Sequence, residues 1–464
     1  MSDSDIVCIS PIDGREVARR AAATPAEIDA ALKRARAAQR EWARRPIGER
    51  AEFCARAVDA MLAMGAEIAP ELALQMGRPV RYGAGEMRGF AERARHMIAI
   101  APDALAPIVP PARAGFRRSI RREPLGLVLT IAPWNYPYLT AVNSIVPALM
   151  AGNAVLLKHA AQTLLVGERF QRTFDEAGLP EGLFQNLFLT HLQTSAIIAS
   201  RGIDHVCFTG SVAAGRAIER AAAGAFIGVG LELGGKDPAY VRADAAFDHA
   251  VENVVDGAFF NSGQSCCGIE RVYVAAPLFD RFVEAASALT RQYVLGSPLD
   301  EATTLGPLAH ASLARTVRDQ TQAAIEAGAR AHIDERAFPM SKSGTPWLAP
   351  QILTHVDHGM AIMVEESFGP VVGVMKVADD EEAIRRMNDS PYGLTASIWT
   401  SDAEAAEAIG ARIETGTVFM NRADYLDPAL AWTGVKDTGR GATLSKVGYE
   451  MLTRPKSFHF KTAV

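Results

Sequence analysis

Two cysteines stand side by side in FFNSGQSCCGIERVYV (residues 259–274), Cys266 and Cys267, behind Asn261, Gly263 and Gln264. Such a pair admits four chemistries: a thiolate nucleophile, half of a metal site, a disulfide, or two small core residues. The chain holds five cysteines, with Cys8, Cys54 and Cys207 scattered elsewhere, and has no CxxC pair and no histidine at ligand spacing beside them. That argues against structural zinc and against a disulfide framework, and suits a reducing cytoplasm. A bridge between adjacent residues would also need a strained ring. A nucleophile and core packing remain open. Glu232, between two leucines in LELGG (231–235), is a carboxylate in surroundings that raise its pKa toward that of a general base; a salt-bridged strand-end Glu is its ordinary alternative. Asn135 in PWNYP (133–137) offers an amide donor, and equally fits a turn held by its own side chain.

The elements that must position these groups can be read from pattern. A chain of 464 residues has room for two or three cores. With 49% apolar and 22% charged residues it has the composition of a soluble globular protein, and a net charge of −5 advertises neither nucleic acid nor an anionic membrane. The opening MSDSDIVCIS is acidic and lacks the apolar core of a signal peptide. From Pro124 to Leu157 no residue is charged, but Pro133, Pro137, Pro147, Asn135, Asn143 and Asn153 interrupt the run. A buried strand, a loop and a buried helix account for it better than a membrane span.

The first third reads as helical. TPAEIDAALKRARAAQREWARR opens on a capping box, with Thr24 as N-cap, Pro25 in the first turn and Glu27 three residues on. A second helical pattern covers GERAEFCARAVDAMLAMGAEIAPELALQMG, with Pro70 expected to interrupt or restart it. The middle alternates apolar runs (LGLVLTIAP, NAVLLKHA, FQNLFL, HVCFTGS) with helical stretches, the mark of a parallel sheet covered on both faces. From about Gly234 the alternation repeats, through PAYVRA, RVYVA, VVGVMKV, LTASIWT and TGTVFMN. Two α/β domains follow. The terminal SFHF reads as an edge strand, and FRRSIRREPLG as a second protruding strand beside it.

One stretch imitates nucleotide motifs. In GVGLELGGKD the pair Gly228 and Gly230 begins a dinucleotide fingerprint, but Leu233 stands where its third glycine belongs. Gly230 to Lys236 spells a phosphate loop, but Asp237 replaces the residue that would hold magnesium. Kinase or NTPase chemistry is excluded on those residues.

In PWNYP, LELGG, NSGQSCCG and EESFGP (365–370) the chain resembles the NAD(P)-dependent aldehyde dehydrogenase superfamily. The resemblance runs nearly end to end, through GNAVLLKHA, FTGSVAAG, NDSPYGLTASIWT and GVKDTGRG in the family's order. It implies two Rossmann-type α/β domains plus a small β oligomerisation arm. The cofactor-binding domain would span 1–112 and 128–233, with 432–448 returning to it. A catalytic domain would span 234–431, and the arm 113–127 and 449–464. By the family's GQ-x-C pattern Cys266 is the nucleophile and Cys267 a packed neighbour. Asn135 then matches the oxyanion amide, Glu232 the base that activates water for thioester hydrolysis. For NAD or NADP the resemblance assigns Lys158 to the adenosine ribose, Gly210 and Ser211 to the pyrophosphate turn, Glu366 and Phe368 to the nicotinamide end, with Trp134 beside them. It assigns no metal. It also implies a cytoplasmic homodimer or homotetramer acting on a small aldehyde, without nucleic acid or membrane partners.

Two residues depart from the pattern. Ala161 stands where NAD-preferring members carry an acid three positions after the lysine, which removes a repulsion of the 2′-phosphate and points to NADP tolerance. His159 replaces the more usual proline. Trp134, Tyr136, Tyr138, Phe259, Phe260 and Tyr425 are candidate tunnel walls, a hint of medium-chain or aromatic aldehydes. No arginine can be assigned to the tunnel from sequence, which leaves a carboxylate-bearing semialdehyde open. Transfer of the acyl group to CoA is the enzymatic alternative, and Glu232 argues against it.

Overall fold

The structure, a computed structural model, describes residues 5–463. Residues 1–4 and Val464, the outermost ends of the expected cofactor domain and arm, lie outside the described residues. The chain opens on an antiparallel hairpin, β1 (Asp5–Ile9) and β2 (Glu16–Ala21). Helix α1 (Pro25–Trp42) follows with the expected capping box: Thr24 accepts from the Glu27 N–H while Glu27 accepts from Thr24. Next come α2 (Ile47–Ala63), α3 (Gly65–Met76) and α4 (Gly83–Ala104). The break in the second helical pattern falls at Met64, whose ψ of 3° leaves the helical region, and not at Pro70, which is carried inside α3. Losing one backbone bond to the proline there is tolerated because Ile68 and Leu72 of the same helix are buried.

After β3 (Phe116–Pro124), the first sheet is built from β4 (Leu127–Ala132), β5 (Ala154–His159), β6 (Phe184–Asn186), β7 (His205–Thr209) and β8 (Gly228–Glu232). The five are parallel, in the order β8-β7-β4-β5-β6. Helices α5 (Pro137–Met150), α6 (Leu164–Glu176), α7 (His191–Ala199) and α8 (Val212–Ala222) connect them. Every residue of β4 and β5 is buried, which is why both read as unbroken apolar runs. The chain starts in the middle, at β4, runs outward through β5 and β6, then returns to β7 on the other side. Loops after β4 and β7 therefore flank a topological switch point, where open α/β sheets receive ligands beyond the strands' carboxyl ends.

From Glu232 the chain leaves this sheet, and at β9 (Asp237–Val241) it enters a second one. That sheet continues with β10 (Ile269–Ala275), β11 (Arg330–Ala331), β12 (Gln351–Thr354), β13 (Val371–Val377), β15 (Thr395–Trp399) and β16 (Thr417–Met420), in the order β11-β12-β13-β10-β9-β15-β16. Only β11 runs antiparallel. Between them β14 (Tyr392–Gly393) pairs with β17 (Val435–Lys436), and β18 (Gly439–Arg440) returns to the first sheet against β8. The helix α9 (Phe247–Phe259) leads from β9 toward the two cysteines. Each sheet has its own apolar core, and Cys267 and Leu394 from the second half pack into the first core. The terminal strand β19 (Thr453–Lys461) pairs antiparallel with β3 over its whole length, from Thr453 against Pro124 to Lys461 against Phe116. Arg121 lies 4.3 Å over the Phe458 ring and Arg117 5.3 Å over Phe460. No helix among the described residues is long and apolar enough to cross a membrane.

Candidate active site

The nucleophile candidate is delivered by an unusual turn. Where α9 ends, Asn261 (φ 54°), Ser262 (φ 56°) and Gly263 (φ 72°) are left-handed in succession. For a non-glycine residue that conformation costs roughly 1–2 kcal/mol, so it persists only where surroundings over-determine it. They do here. The Asn261 amide donates to the carbonyls of Asn135 (3.3 Å) and Gln264 (3.2 Å), and the Ser262 hydroxyl to that of Gly306 (2.9 Å). Gln264 bonds back to the Asn261 carbonyl at 3.0 Å and accepts the Ala309 N–H at 2.8 Å. A Cβ on Gly263 would lie 2.3 Å from the Gly369 carbonyl, so no other residue fits.

The segment that crosses between the sheets meets this turn. A Cβ on Gly235 would stand 2.2 Å from the Cys266 carbonyl oxygen, and one on Gly234 2.4 Å from the Glu366 carboxylate. The Gly235 N–H donates to Glu366 Oε1 at 2.9 Å. The lysine of the false phosphate loop serves the packing instead, since Lys236 is fully buried, paired with Glu270 and donating to Ser367 Oγ at 3.0 Å. Glu270 in turn accepts the N–H groups of Ser367 (2.8 Å) and Phe368 (3.0 Å). Four motifs distant in sequence thus share one knot of backbone.

Cys266 and Glu232 line the same cavity, of about 420 Å³. Glu232 sits at the carboxyl end of β8, accepting the Thr443 hydroxyl at 2.5 Å and the Thr209 hydroxyl at 3.4 Å. Burial holds its carboxyl above the ordinary range of 4.5, against the pull of Thr443, Arg93 and Thr209. Asn135 is buried beside the cavity rather than on its wall, its amide donating to the Gln264 carbonyl at 3.2 Å, two residues ahead of Cys266. Cys266 is half-buried, whereas Cys267 is enclosed and its thiol donates to Asp424 Oδ1 at 2.8 Å. A hydrogen bond with Cys266, burial and the Asp424 charge hold Cys267 well above its ordinary value. Burial pushes Cys8, Cys54 and Cys207 up to about 12.

The candidate cofactor residues gather at the strand ends of the first sheet. Lys158, in β5, is buried, and its amine makes no hydrogen bond or ion pair among the described residues; burial lowers its pKa. Ala161 is exposed in a short 3₁₀ turn after it. His159 is neutral, its pKa lowered to about 4 by burial, and bridges the Pro137 carbonyl (3.4 Å) and the Thr163 hydroxyl (3.2 Å). Gly210 and Ser211 form the turn into α8, with Ser211 as its N-cap. Glu366 is pushed up to about 8, first by burial and then by the Glu270 charge. Trp134 meets Phe368 edge-on at 5.6 Å and His310 at 6.2 Å. Among the described residues no cluster of three or more His, Cys, Asp or Glu has metal-binding geometry.

The model of the aldehyde dehydrogenase family matches residues 1–458. The chain belongs to the aldehyde dehydrogenase family. It is 34% identical over 448 residues to a succinate-semialdehyde dehydrogenase [NADP(+)] of Deinococcus radiodurans, covering 97% of this chain and 93% of that protein. An aldehyde dehydrogenase of Paenarthrobacter nicotinovorans is 36% identical over 451 residues, with 96% and 97% covered. The crystal structure of succinic semialdehyde dehydrogenase from Streptococcus pyogenes, solved with NADP+, superposes with a TM-score of 0.94 at 28% identity, covering 98% and 100% of the two chains. The mixed α/β architecture with parallel sheets expected from the family is the one observed.

The sequence reading of this aldehyde dehydrogenase missed several groups. Of the six aromatic candidates, Tyr136, Phe260 and Tyr425 line the cavity. Tyr138 and Phe259 are core residues, since each faces into its own helix layer, and Trp134 packs on Phe368. Arg78, Arg88 and Arg93 all reach the cavity wall, where sequence could assign none. Of these, Arg78 pairs with Glu86, while Arg88 and Arg93 form no ion pair among the described residues. One signal was there to be read: Glu86 and Arg93 sit on the apolar stripe of α4, with Met87, Phe90, Ala94 and Met97, where charges are out of place. Replacing Gly235 with Ala should lower kcat for aldehyde oxidation about 100-fold by displacing the Cys266 backbone. Gly48→Ala, with nothing within 4 Å of the new carbon, serves as the unaffected control in the same initial-rate assay.

Proposed function

We propose that this aldehyde dehydrogenase oxidises its substrate to a carboxylic acid with NAD or NADP through a covalent adduct on Cys266. The observation that carries this reading is the shared cavity: a half-buried thiol and a carboxyl of raised pKa on its wall, with an amide hydrogen-bonded to the thiol's own turn. A bare carbonyl carbon cannot release hydride to reach an acid. Attack by the Cys266 thiolate makes a tetrahedral thiohemiacetal that can, and the donors we assign to its oxyanion are the Cys266 N–H and the Asn135 amide just behind the cavity wall. The bound nicotinamide supplies one thing, acceptance of that hydride. Glu232 then takes a proton from the water that opens the resulting thioester, and the acid leaves with the thiolate restored. Water rather than CoA is the acyl acceptor because the base is present.

The residues that suit the dinucleotide support the same reading. Lys158 brings a buried amine without a protein partner, suited to ribose hydroxyls. Gly210 and Ser211 open α8, whose first N–H groups and dipole favour a pyrophosphate. Glu366, with Oε2 unpartnered among the described residues, and Phe368 against Trp134 would hold the nicotinamide end. In this division residues 1–112, 128–233 and 432–448 bind cofactor, 234–431 carry the nucleophile, and the β3–β19 ribbon pairs subunits. A two-stranded ribbon is marginal alone, so a homodimer or homotetramer follows, and five free cysteines suit the cytoplasm.

A carboxylate-bearing semialdehyde is the substrate class favoured by Arg88 and Arg93, two guanidinium groups at the cavity without ion-pair partners among the described residues. Of the acids on the same wall, Asp424 accepts from Cys267 and Ser265, and Glu92 from Tyr425, while burial and the Asp424 charge raise the Asp256 carboxyl, which makes no side-chain hydrogen bond or ion pair among the described residues.

Four measurements test these assignments. A base acts only when deprotonated, so activity should fall as pH drops through the raised Glu232 value, giving an acid limb above 4.5. Glu232→Gln should keep the first burst of reduced cofactor and lose turnover, while Cys266→Ala should bind cofactor and lose both; turnover in the Cys266 variant overturns the mechanism. Arg88→Ala should raise KM for succinate semialdehyde about 10-fold more than for butanal. Ala161→Glu should lower kcat/KM for NADP at least about 10-fold relative to NAD, by restoring a negative charge beside the 2′-phosphate.

A further inference from the structure

A buried ion pair stands behind the catalytic loop without belonging to it. Arg78 follows α3, just past Gly77, and Glu86 lies in the first turn of α4; their side chains are 3% and 0% exposed. Arg78 uses its whole fork. Nη1 binds Glu86, Nη2 donates to the Asn135 carbonyl, and Nε donates to the Asn261 Oδ1 at 3.2 Å, with the guanidinium 4.6 Å over the Tyr136 ring. Its planar fork can address three oxygens at fixed angles, which an ammonium cannot. Glu86 plays the complementary part. Helix α5 begins at Pro137 with no side-chain cap of its own, and Glu86 Oε1 accepts the N–H groups of Tyr138 (3.0 Å) and Leu139 (3.2 Å). A carboxylate from another helix thereby caps α5 and fixes where the Trp134–Tyr136 loop ends.

The pair therefore grips both partners of the proposed oxyanion site: the loop bearing Asn135, at its carbonyl and at the helix after it, and the left-handed turn bearing Cys266, at Asn261. We propose that Arg78, held by Glu86, is a positioning residue that fixes the Asn135 amide relative to the Cys266 thiol. Arg78 borders the cavity, but its fork is spent on Glu86, Asn135 and Asn261, so it acts through Asn135 rather than on the substrate. The inference rests on the assignment of Asn135 to the oxyanion made above. It also explains why a buried charge pair is kept beside an active site, since such pairs contribute little net stability and much geometric definition.

The test is a double-mutant cycle on the full-length enzyme, with Arg78→Lys, Asn135→Ala and the double variant. Arg78→Lys keeps the charge and loses the fork, so kcat should fall about 100-fold, while the aldehyde KM and the cofactor Kd from fluorescence titration stay within about twofold. In the Asn135→Ala background the same change should cost less than about threefold, because the group it positions is gone. Additive losses, or an Arg78→Lys enzyme with normal kcat, overturn the inference. Should Arg78→Lys fail to fold, Glu86→Gln replaces it in the same cycle, since its amide oxygen still caps α5 while the pairing with Arg78 is lost. An Asn135→Ala enzyme with unchanged kcat overturns the oxyanion assignment itself, and the positioning role with it.

Discussion

The architecture depends on how closely the Leu233–Lys236 segment can approach the chain around Cys266. Two sheets meet there, and the connection between them must pass within van der Waals reach of the Cys266 carbonyl and of Glu366. Gly234 and Gly235 make the approach possible, and the buried Lys236–Glu270 pair holds it. Because Glu232 is the last residue of β8, the crossing also sets how far the carboxyl lies from the thiol. Glu232, Cys266 and the loop of Glu366 and Phe368 are thus spaced by one packing contact rather than by three independent ones.

Burial then sets the chemistry at each station. The same desolvation that raises Glu232 and Glu366 lowers Lys158, and it keeps His159 neutral. The buried Glu270 is instead surrounded by fixed donors, the Lys236 ammonium and the N–H groups of Ser367 and Phe368. Such sites tolerate little rearrangement, because each removed partner strands another polar group away from water.

Much of this was legible in the residues. Fully buried β4 and β5 announced themselves as apolar runs, the capping box at Thr24 marked a helix start, and the charged alternation of Phe116–Pro124 with the terminal SFHF marked a paired ribbon. Cys266 and Glu232, which line one cavity, could be named as candidates because contiguous motifs carry them. The Arg78–Glu86 pair could not: its partners belong to separate elements, and what they hold is a loop some fifty residues further on, with no periodicity to betray it. Phe259 and Phe260 are neighbours of one type, yet one is core and the other cavity wall, because the chain turns left-handed immediately after them. The helix break at Met64 rather than Pro70 reflects packing overriding a local preference.

The distribution of sulfur has a practical consequence. Four of the five thiols are shut away from solvent or held protonated far above neutral pH, leaving one that is both reachable and set against a cavity. An electrophilic reporter added to the native protein reads a single atom out of a whole chain. Fractional occupancy by such a label counts competent molecules directly, so a preparation carries its own internal standard for how much of it is correctly assembled.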